Sequence, residues 1–377
     1  MIDRDELSAW LRLLETPGVG REAARALLAR FGSAEGVLAA STEARKAVVP
    51  SRVATALAKP PAEFETRRDA AVRWLEGESS QPRAVIAIGD PRYPPALLES
   101  ADPPLLLYAL GRVELLHAPA IAIVGSRNPT PQGLENARAF AAHLSGAGWV
   151  VVSGLALGVD GAAHEGALSG SAGTIAVVGT GLDRVYPSRH RGLAQRIADH
   201  GLLISEFAIG TPALKENFPI RNRIIAGLAR GTLVVEAALQ SGSLITARLA
   251  AEAGREVFAI PGSIHSPQSR GCHALIKQGA KLVDSAADIV DELPTLPGAA
   301  AARAGKRAAA GTPASAHARP AEHPLLEALG FDPVGLDALI ARTGQSAAEL
   351  SARLLDLELQ GRVARLPGQR FQRIERA

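Results

Sequence analysis

Short apolar runs alternate with helical patterns through the middle of the chain. Seven such runs lie between residues 121 and 285, at 121–125, 149–154, 174–179, 202–205, 232–235, 256–260 and 281–285. A nearly continuous apolar run is typical of a strand that is buried on both faces. Another apolar run at 84–90 predicts one more strand before them. The pattern predicts an α/β fold over residues 83–292, built on an extended Rossmann-like, doubly wound parallel sheet.

Residues 1–76 have helical patterns throughout, and the turn Thr16-Pro17-Gly18-Val19-Gly20 joins the first two. This segment resembles a SAM or helix-hairpin-helix domain. In a helix-hairpin-helix the glycine-rich turn offers backbone N–H groups to a DNA phosphate, and Arg21 and Arg25 are nearby cations. A helical domain that only packs against its neighbours is the alternative.

The C-terminal part of the chain changes composition twice. Residues 293–322 are rich in Ala, Pro and Gly and predict a flexible linker. Residues 323–377 have three helical patterns and two short strands, the arrangement of a winged helix. Ser346 and Glu349 predict a capping box at the start of the third helix. That helix is acidic, which favours a protein-contact or structural winged helix over a DNA-reading one.

The composition bears on which disulfides, metal sites and membrane segments the chain can form. The 377 residues are 47% hydrophobic and carry a net charge of +3, and Cys272 is the single cysteine, so neither an internal disulfide nor a cysteine zinc site is expected. We also expect no metal and no cofactor. The acidic start of the chain does not resemble a signal peptide, and no apolar run is long enough for membrane insertion. These features predict a cytoplasmic protein.

The loops that follow the predicted strands carry residue types that bind phosphate. Ligands of open α/β sheets bind beyond the carboxyl ends of the strands. Glycines and a serine at helix starts offer N–H groups there, and cations surround one aromatic ring, a combination suited to single-stranded nucleic acid. The predicted phosphate-binding loops contain Gly125, Gly154, Gly242 and Ser243. For the loop that contains Gly154, close packing of the helix against the strand is an equal alternative. The predicted DNA-binding residues are Ser126, Arg127, Lys215, Phe218, Arg221 and Arg223.

Several catalytic patterns are missing from the sequence. There is no G-x-G-x-x-G fingerprint, no phosphate loop of the G-x-x-x-x-G-K-[ST] type and no G-x-S-x-G nucleophile elbow. Glu206 and Glu236 end two strands and form either an acid/base pair or anchors for Arg221 or Arg223. Asp160 and His164 share a helix face. For these two we favour a helix cap and a satisfied, partly buried histidine over a metal site.

Long motifs between Tyr93 and Val283 resemble the DNA-processing protein A (DprA, or Smf) family. They are YPPALLESADPPLLLYALG, IAIVGSRNPTPQG, VVSGLALGVDGAAHEGAL, TIAVVGTGLDRVYPSRHRGL, LISEFAIG, NFPIRNRIIAGLA, VVEAALQSGSLITARLAAEAGREVFAIPG and GCHALIKQGAKLV. The resemblance implies a protein that is not an enzyme, but a recombination mediator. Such a mediator protects incoming single-stranded DNA, loads the RecA recombinase onto it during natural transformation, and dimerises through its Rossmann-like domain. The resemblance also implies DNA contacts at Arg127, Lys215 and Phe218.

A second, weaker resemblance leaves an enzyme open. The turn from Ser241 to Thr246 is similar to the phosphate turn of nucleoside-monophosphate phosphoribohydrolases. It lacks most of their glycines, and the next acid is Glu252. A nucleotide sensor that uses the same Rossmann pocket is a further alternative.

Overall fold

The computed structural model describes residues 2–293 and 324–374, so the predicted linker at 293–322 lies almost wholly outside the described residues. The predicted domain boundaries stay predictions. The helices are α1 Arg4–Glu15, α2 Arg21–Phe31, α3 Ala34–Ala39, α4 Thr42–Lys46, α5 Ser51–Ala56, α6 Phe64–Glu76, α7 Pro95–Leu98, α8 Pro131–Gly146, α9 Val159–Ala167, α10 Arg191–His200, α11 Asn217–Leu228, α12 Ser243–Glu252, α13 Arg270–Lys277, α14 Ala286–Glu292, α15 Pro324–Leu329, α16 Leu336–Thr343 and α17 Ala347–Leu359. The strands are β1 Arg83–Ala87, β2 Leu106–Gly111, β3 Ala120–Val124, β4 Val150–Ser153, β5 Thr174–Val177, β6 Leu202–Ser205, β7 Gly231–Val234, β8 Glu256–Ala259, β9 Lys281–Leu282, β10 Val334–Gly335, β11 Val363–Leu366 and β12 Arg370–Arg373.

The central sheet has nine strands in the order β1-β2-β6-β5-β4-β3-β7-β8-β9. The seven strands from β3 to β9 are parallel, which confirms the predicted parallel sheet. Strand β2 pairs antiparallel with β6, and β1 pairs antiparallel with β2. These two strands extend the edge of the sheet without a crossover helix, because antiparallel neighbours do not need one.

Alternate residues of β3 enter different hydrophobic cores. Ala120, Ala122 and Val124 belong to a core that includes side chains of α11 and α12. Ile121 and Ile123 belong to a core that includes side chains of α8, α9 and α14. The sheet is therefore covered on both faces, as the continuous apolar runs predicted.

The N-terminal helices share a core with the edge of the sheet. Trp10, Leu27 and Trp74 lie in one cluster with Leu106 and Tyr108 of β2. The rings of Trp74 and Tyr108 meet edge to face, with centroids 5.8 Å apart. Shared burial of this kind holds the N-terminal helices against the sheet.

The C-terminal unit is the predicted winged helix. Helices α15, α16 and α17 pack with a three-stranded sheet in the order β10-β12-β11. Ser346 and Glu349 form the predicted capping box at the start of α17. The two-residue strand β10 was not predicted, because so short a bridge leaves no periodic pattern in the sequence.

The strand order creates a crevice beside β3. The chain winds outward from β3 through β4 and β5 to β6, and then returns to the other side of β3 with β7. The connections that leave β3 and β7 therefore diverge, and a crevice opens between their carboxyl ends.

In the described part of the chain, no helix is long and apolar enough to cross a membrane.

Candidate functional site

A cavity of about 710 Å3 lies at the carboxyl ends of the central strands. Eight of the ten predicted site residues line it: Gly125, Ser126, Arg127, Lys215, Phe218, Arg221, Gly242 and Ser243. These residues come from the loops after β3, β6 and β7 and from the N-terminal turns of α11 and α12, although the segments are up to about a hundred positions apart in the sequence. The other two, Gly154 and Arg223, are not among the lining residues. We refer to this cavity as the main pocket.

The loop after β3 brings its backbone close to a neighbouring helix. A Cβ atom at Gly125 would lie 2.7 Å from Val159 Cγ2 and 3.0 Å from the carbonyl oxygen of Glu236, so only glycine fits there. Ser126 Oγ accepts a hydrogen bond from the Asn128 N–H at 3.1 Å. This turn directs the exposed Arg127 side chain toward the pocket, where its guanidinium carbon lies 5.8 Å from the centroid of the Phe218 ring.

Two aromatic rings lie next to each other in the main pocket. Phe218 is half-buried, and Gly179 lies so close to it that an added Cβ would be 3.0 Å from the ring. The Tyr186 ring is 5.5 Å away, tilted by 40°, and the residue is 53% exposed. Sequence reasoning missed Tyr186. The available signal was an aromatic residue in front of Pro187, within the polar loop that follows β5.

The start of α12 also borders the pocket. Gly242 occupies the N-cap position, and the hydroxyls of Ser241 and Ser243 lie 2.7 Å apart. The N–H groups of Leu244 and Ile245 donate to the carbonyl oxygens of Ser241 and Gly242 at 3.1 Å each, so what this helix start offers the pocket is the partial positive charge of the helix dipole. The pocket therefore combines an anion-attracting helix start with the cations Arg127 and Lys215.

Arg221 lines the pocket from below and is only 4% exposed. Its Nη1 donates to the Val177 carbonyl oxygen at 2.6 Å. Burial lowers the pKa of Arg221 to about 10, although the nearby charge of Asp160 opposes the shift. Burial raises the pKa of Asp160, and the charge of Arg221 opposes that shift in turn. The two side chains compensate each other's charge in the pocket floor.

Gly154 serves close packing, which is one of the two roles that the sequence left open for its loop. Its N–H donates to Asp160 Oδ2 at 3.1 Å, so this N–H is not presented to the pocket. A Cβ atom at Gly154 would lie 1.7 Å from Arg221 Nη1. Glycine at this position therefore allows the Arg221 guanidinium to lie beneath the loop.

Arg223 lies outside the main pocket, in an ion-pair cluster. Its Nη2 donates to Glu206 Oε1 at 2.7 Å, and its Nε donates to Asp102 Oδ2 at 3.0 Å. Asp102 also accepts from Arg21 and Arg25 of α2, so these two predicted DNA-phosphate cations are already paired. The prediction that Glu206 anchors an arginine is confirmed.

Glu236 has a different partner from Glu206. It accepts from the backbone N–H of Thr130 at 2.9 Å and from the hydroxyl of Thr130 at 2.7 Å. The two glutamates thus anchor separate elements, and they do not form the acid/base pair that the sequence left open.

His164 corrects another expectation, because it is wholly buried and incompletely bonded. Its Nδ1 lies 2.7 Å from Thr174 Oγ1, which itself donates to the Val151 carbonyl oxygen at 2.6 Å. Nδ1 must therefore carry the proton, and Nε2 has no partner among the described residues. Burial lowers the pKa of His164 to about 3, so the ring is neutral. Gly158 occupies the N-cap position of this helix without a side-chain cap, and Asp160 accepts from the N–H groups of Gly154 and Ala156, so it is not the predicted helix cap. Residues 2–293 and 324–374 contain no group of three His, Cys, Asp or Glu that could hold a metal.

These features define a class of protein: an extended Rossmann-like protein with a cationic, aromatic pocket at its topological switch point, flanked by a helical domain and a winged helix. Models of known families match all three parts. DNA recombination-mediator protein A matches residues 84–294, the DprA-like N-terminal HHH domain matches residues 4–58, and the DprA winged helix domain matches residues 308–369. The chain belongs to the DNA recombination-mediator protein A (DprA/Smf) family.

Individual relatives cover much of the chain. Protein Smf of Escherichia coli is 41% identical over 304 residues, which are 78% of each protein. DNA processing protein DprA of Streptococcus pneumoniae is 49% identical over 206 residues, which are 55% of this chain and 73% of the relative.

Two solved structures share the fold. The X-ray structure of the S. pneumoniae protein superposes with a TM-score of 0.63 at 37% identity, over 77% of this chain and 99% of that one. DNA processing protein A of Helicobacter pylori, described for its single-stranded DNA binding mode, has a TM-score of 0.51 at 33% identity. That match covers 55% of this chain and 94% of the H. pylori chain.

Proposed function

We propose that this protein binds single-stranded DNA in the main pocket and acts as a recombination mediator that protects the strand and loads RecA onto it during natural transformation. The observation that carries the proposal is the position of the Arg127 guanidinium over the Phe218 ring, beside the exposed Tyr186. A cation next to a stacking surface recognises the backbone and bases of a single strand without reading its sequence. A duplex buries its base faces, so it gains nothing from the rings.

The pocket residues divide into contacts and supports. Arg127 and Lys215 are exposed and neutralise phosphates, and Phe218 stacks on a base. The Ser126 hydroxyl donates a hydrogen bond, and the start of α12 adds the partial positive charge of its dipole. Arg221 lies in the floor and supports the loop that contains Gly154. Arg223 holds the ion-pair cluster beside the pocket. We assign no step of covalent chemistry to the site.

The proposed partner protein rests on what the family resemblance implies. We propose a homodimer through the Rossmann-like domain, for which the apolar cavity of about 520 Å3 between α12 and α13 is the candidate face. Leu239 borders it and is 59% exposed. An exposed apolar surface of this kind marks a protein interface. Leu239→Glu should then yield a monomer by light scattering, and an unchanged mass would refute this face.

The binding experiment uses fluorescence anisotropy with labelled oligo-dT and a duplex of the same length, at several salt concentrations and without nucleotide or metal. Wild type should prefer the single strand, and Lys215→Ala should weaken that binding. Lys59→Ala is the matched control, because Lys59 is also exposed but lies in the N-terminal domain. No binding to either DNA would reject the proposal.

The enzyme alternative predicts a different result. A nucleoside-monophosphate phosphoribohydrolase would release free base from a nucleotide. The structure gives this reading little support, because Glu252 is exposed, lies 3.7 Å from Arg248 and does not line the main pocket.

RecA loading is tested separately, by the rate of RecA ATP hydrolysis on oligo-dT that is coated with a single-strand binding protein.

A further inference from the structure

Helix α17 of the winged helix has an apolar face that is open to solvent. On one side of this helix, Leu350, Leu354 and Leu357 are buried in the core of the winged helix. On the outward side, Leu355 is 54% exposed and Leu359 is 80% exposed. Two large apolar side chains, one turn apart and this far exposed, gain hydrophobic stabilisation only when another surface covers them.

The exposed face has the spacing of a helix–helix contact. Ala348 and Ala352 are also exposed and continue the line of Leu355 and Leu359, so the four residues follow one another at intervals of four, three and four positions. Residues three or four apart share a helix face, and this alternation is the a and d pattern of a coiled-coil seam. We refer to these four residues as the α17 stripe.

Acidic side chains flank the α17 stripe. At about 100° per residue, Glu349 and Asp356 lie along one side of the stripe and Glu358 lies along the other. Arg353 lies farther round the helix, between the first of these sides and the buried face. The two flanks of the stripe therefore carry three acids and no base.

The charge of the flanks favours one kind of partner. Two copies of α17 that packed along their stripes would bring acidic flanks together, and like charges at these positions oppose pairing. Residues 299–310 of the chain are basic, but they read AAAARAGKRAAA and contain no large apolar side chain to pack between leucines. A helix with a leucine stripe of its own and basic flanks matches both the apolar surface and the charge.

We propose that the α17 stripe binds an amphipathic helix of a partner protein, with leucines that contact Leu355 and Leu359 and with lysines or arginines that pair with Asp356 and Glu358. This is the recognition of a helix by its apolar face, with flanking charges that select the partner. The winged helix then recruits a second protein. None of these four residues lines the main pocket, so the site does not depend on the proposed DNA binding.

The test measures binding of labelled synthetic peptides to the full chain by fluorescence anisotropy. The first peptide is a helix of three heptads with leucine at every a and d position and lysine at every e and g position. The second has the same composition with its leucines scattered around the helix, and the third has glutamate in place of lysine. The first should bind saturably and at least about tenfold more tightly than the others. Equal binding of the first two would show attraction by charge alone and would overturn the proposal.

Variants locate the peptide on α17. Leu359→Gln should fold like wild type, because the side chain is largely exposed, and should lose at least about tenfold in affinity for the lysine peptide. Asp356→Lys should weaken binding of the lysine peptide and strengthen binding of the glutamate peptide, a reversal that loss of structure does not produce. The matched controls are Leu98→Gln on α7 and Glu327→Lys on α15, both at exposed positions, and they should bind like wild type. Full affinity in Leu359→Gln would refute the site.

Three further measurements test the other occupants of the stripe and separate this site from the main pocket. Wild type and Leu359→Gln should have the same mass by light scattering, and a lower mass for the variant would assign the stripe to a second copy of the chain. Deletion of residues 299–310 should leave the affinity for the lysine peptide unchanged, and a large increase would assign the stripe to that segment. Either result would overturn the proposal. Leu359→Gln should bind oligo-dT like wild type, and a parallel loss of DNA binding would contradict a separate docking site.

Discussion

Arg223 and Glu206 form a two-point ion pair, with Arg223 Nη1 and Nη2 lying 2.5 Å and 2.7 Å from the two carboxylate oxygens of Glu206. The same guanidinium donates its Nε to Asp102, which also accepts from Arg21 and Arg25. These five side chains connect α2, α11 and the segments after α7 and β6. The cluster fixes the N-terminal helices against the Rossmann-like domain.

Arg223→Ala should therefore destabilise the protein more than it affects DNA contacts. Its removal leaves Glu206 without its hydrogen-bond partner and leaves Asp102 with only Arg21 and Arg25. Breaking a buried pair in this way costs about 3–5 kcal/mol. Urea unfolding should show the loss, while the protein that remains folded should keep most of its affinity for oligo-dT. Arg52→Ala, at an exposed position, serves as control. Normal stability combined with lost DNA binding would place Arg223 among the DNA contacts instead.

The cluster should also make stability depend on pH. Burial raises the pKa of Asp102, but the hydrogen bond from Arg25 and the charges of Arg223 and Arg21 outweigh burial and hold that pKa below its usual range. The folded state therefore binds this proton less readily than the unfolded state. The resulting stability is present above the unfolded pKa of about 3.9 and is lost as the pH falls through the folded pKa.

Unfolding of wild type and Asp102→Asn should be compared between pH 6 and the lowest pH at which both proteins stay folded. The difference in stability between them should shrink as the pH falls. A constant difference over that range would show that the charge of Asp102 does not contribute.

Arg127→Ala should weaken single-strand binding and flatten its salt dependence. Loss of one phosphate contact reduces the slope of log K against log salt by about 0.7. The measurement is anisotropy of labelled oligo-dT over a salt series, with Arg52→Ala as control. A slope equal to that of wild type would mean that Arg127 touches no phosphate.

Tyr186 should contribute a second stacking surface. Tyr186→Ala should cost about 1–3 kcal/mol of single-strand affinity, and Tyr186→Phe should restore most of it, because the ring and not the hydroxyl stacks on a base. The salt slope should stay unchanged in both variants. If Tyr186→Phe binds as weakly as Tyr186→Ala, the hydroxyl is the group that matters.

Deletion of residues 323–377 should lower single-strand affinity only modestly. Helix α17 carries Glu349, Asp356 and Glu358 with Arg353, so it repels a phosphate backbone more than it attracts one. The truncated chain, which ends after α14, can be compared with the full chain in the same anisotropy series. A truncated protein that no longer binds oligo-dT would give the winged helix a direct part in DNA binding.

The sequence by itself determined the elements and their order. Continuous apolar runs predicted all seven parallel strands, and the rule that ligands bind beyond strand ends predicted Gly125, Arg127, Lys215 and Gly242 at one edge of the sheet, where they line the main pocket. These features follow from local periodicity and from chain topology, which the order of residues contains.

Only the tertiary structure decided the role of each charged side chain. Arg221 and Arg223 are two positions apart on α11, so their side chains leave the helix about 200° apart. One enters the pocket floor beside Asp160, and the other meets Asp102, which is 121 residues away in the sequence. Which partner each arginine finds depends on how distant segments approach one another in space, and no local pattern in the sequence records that approach.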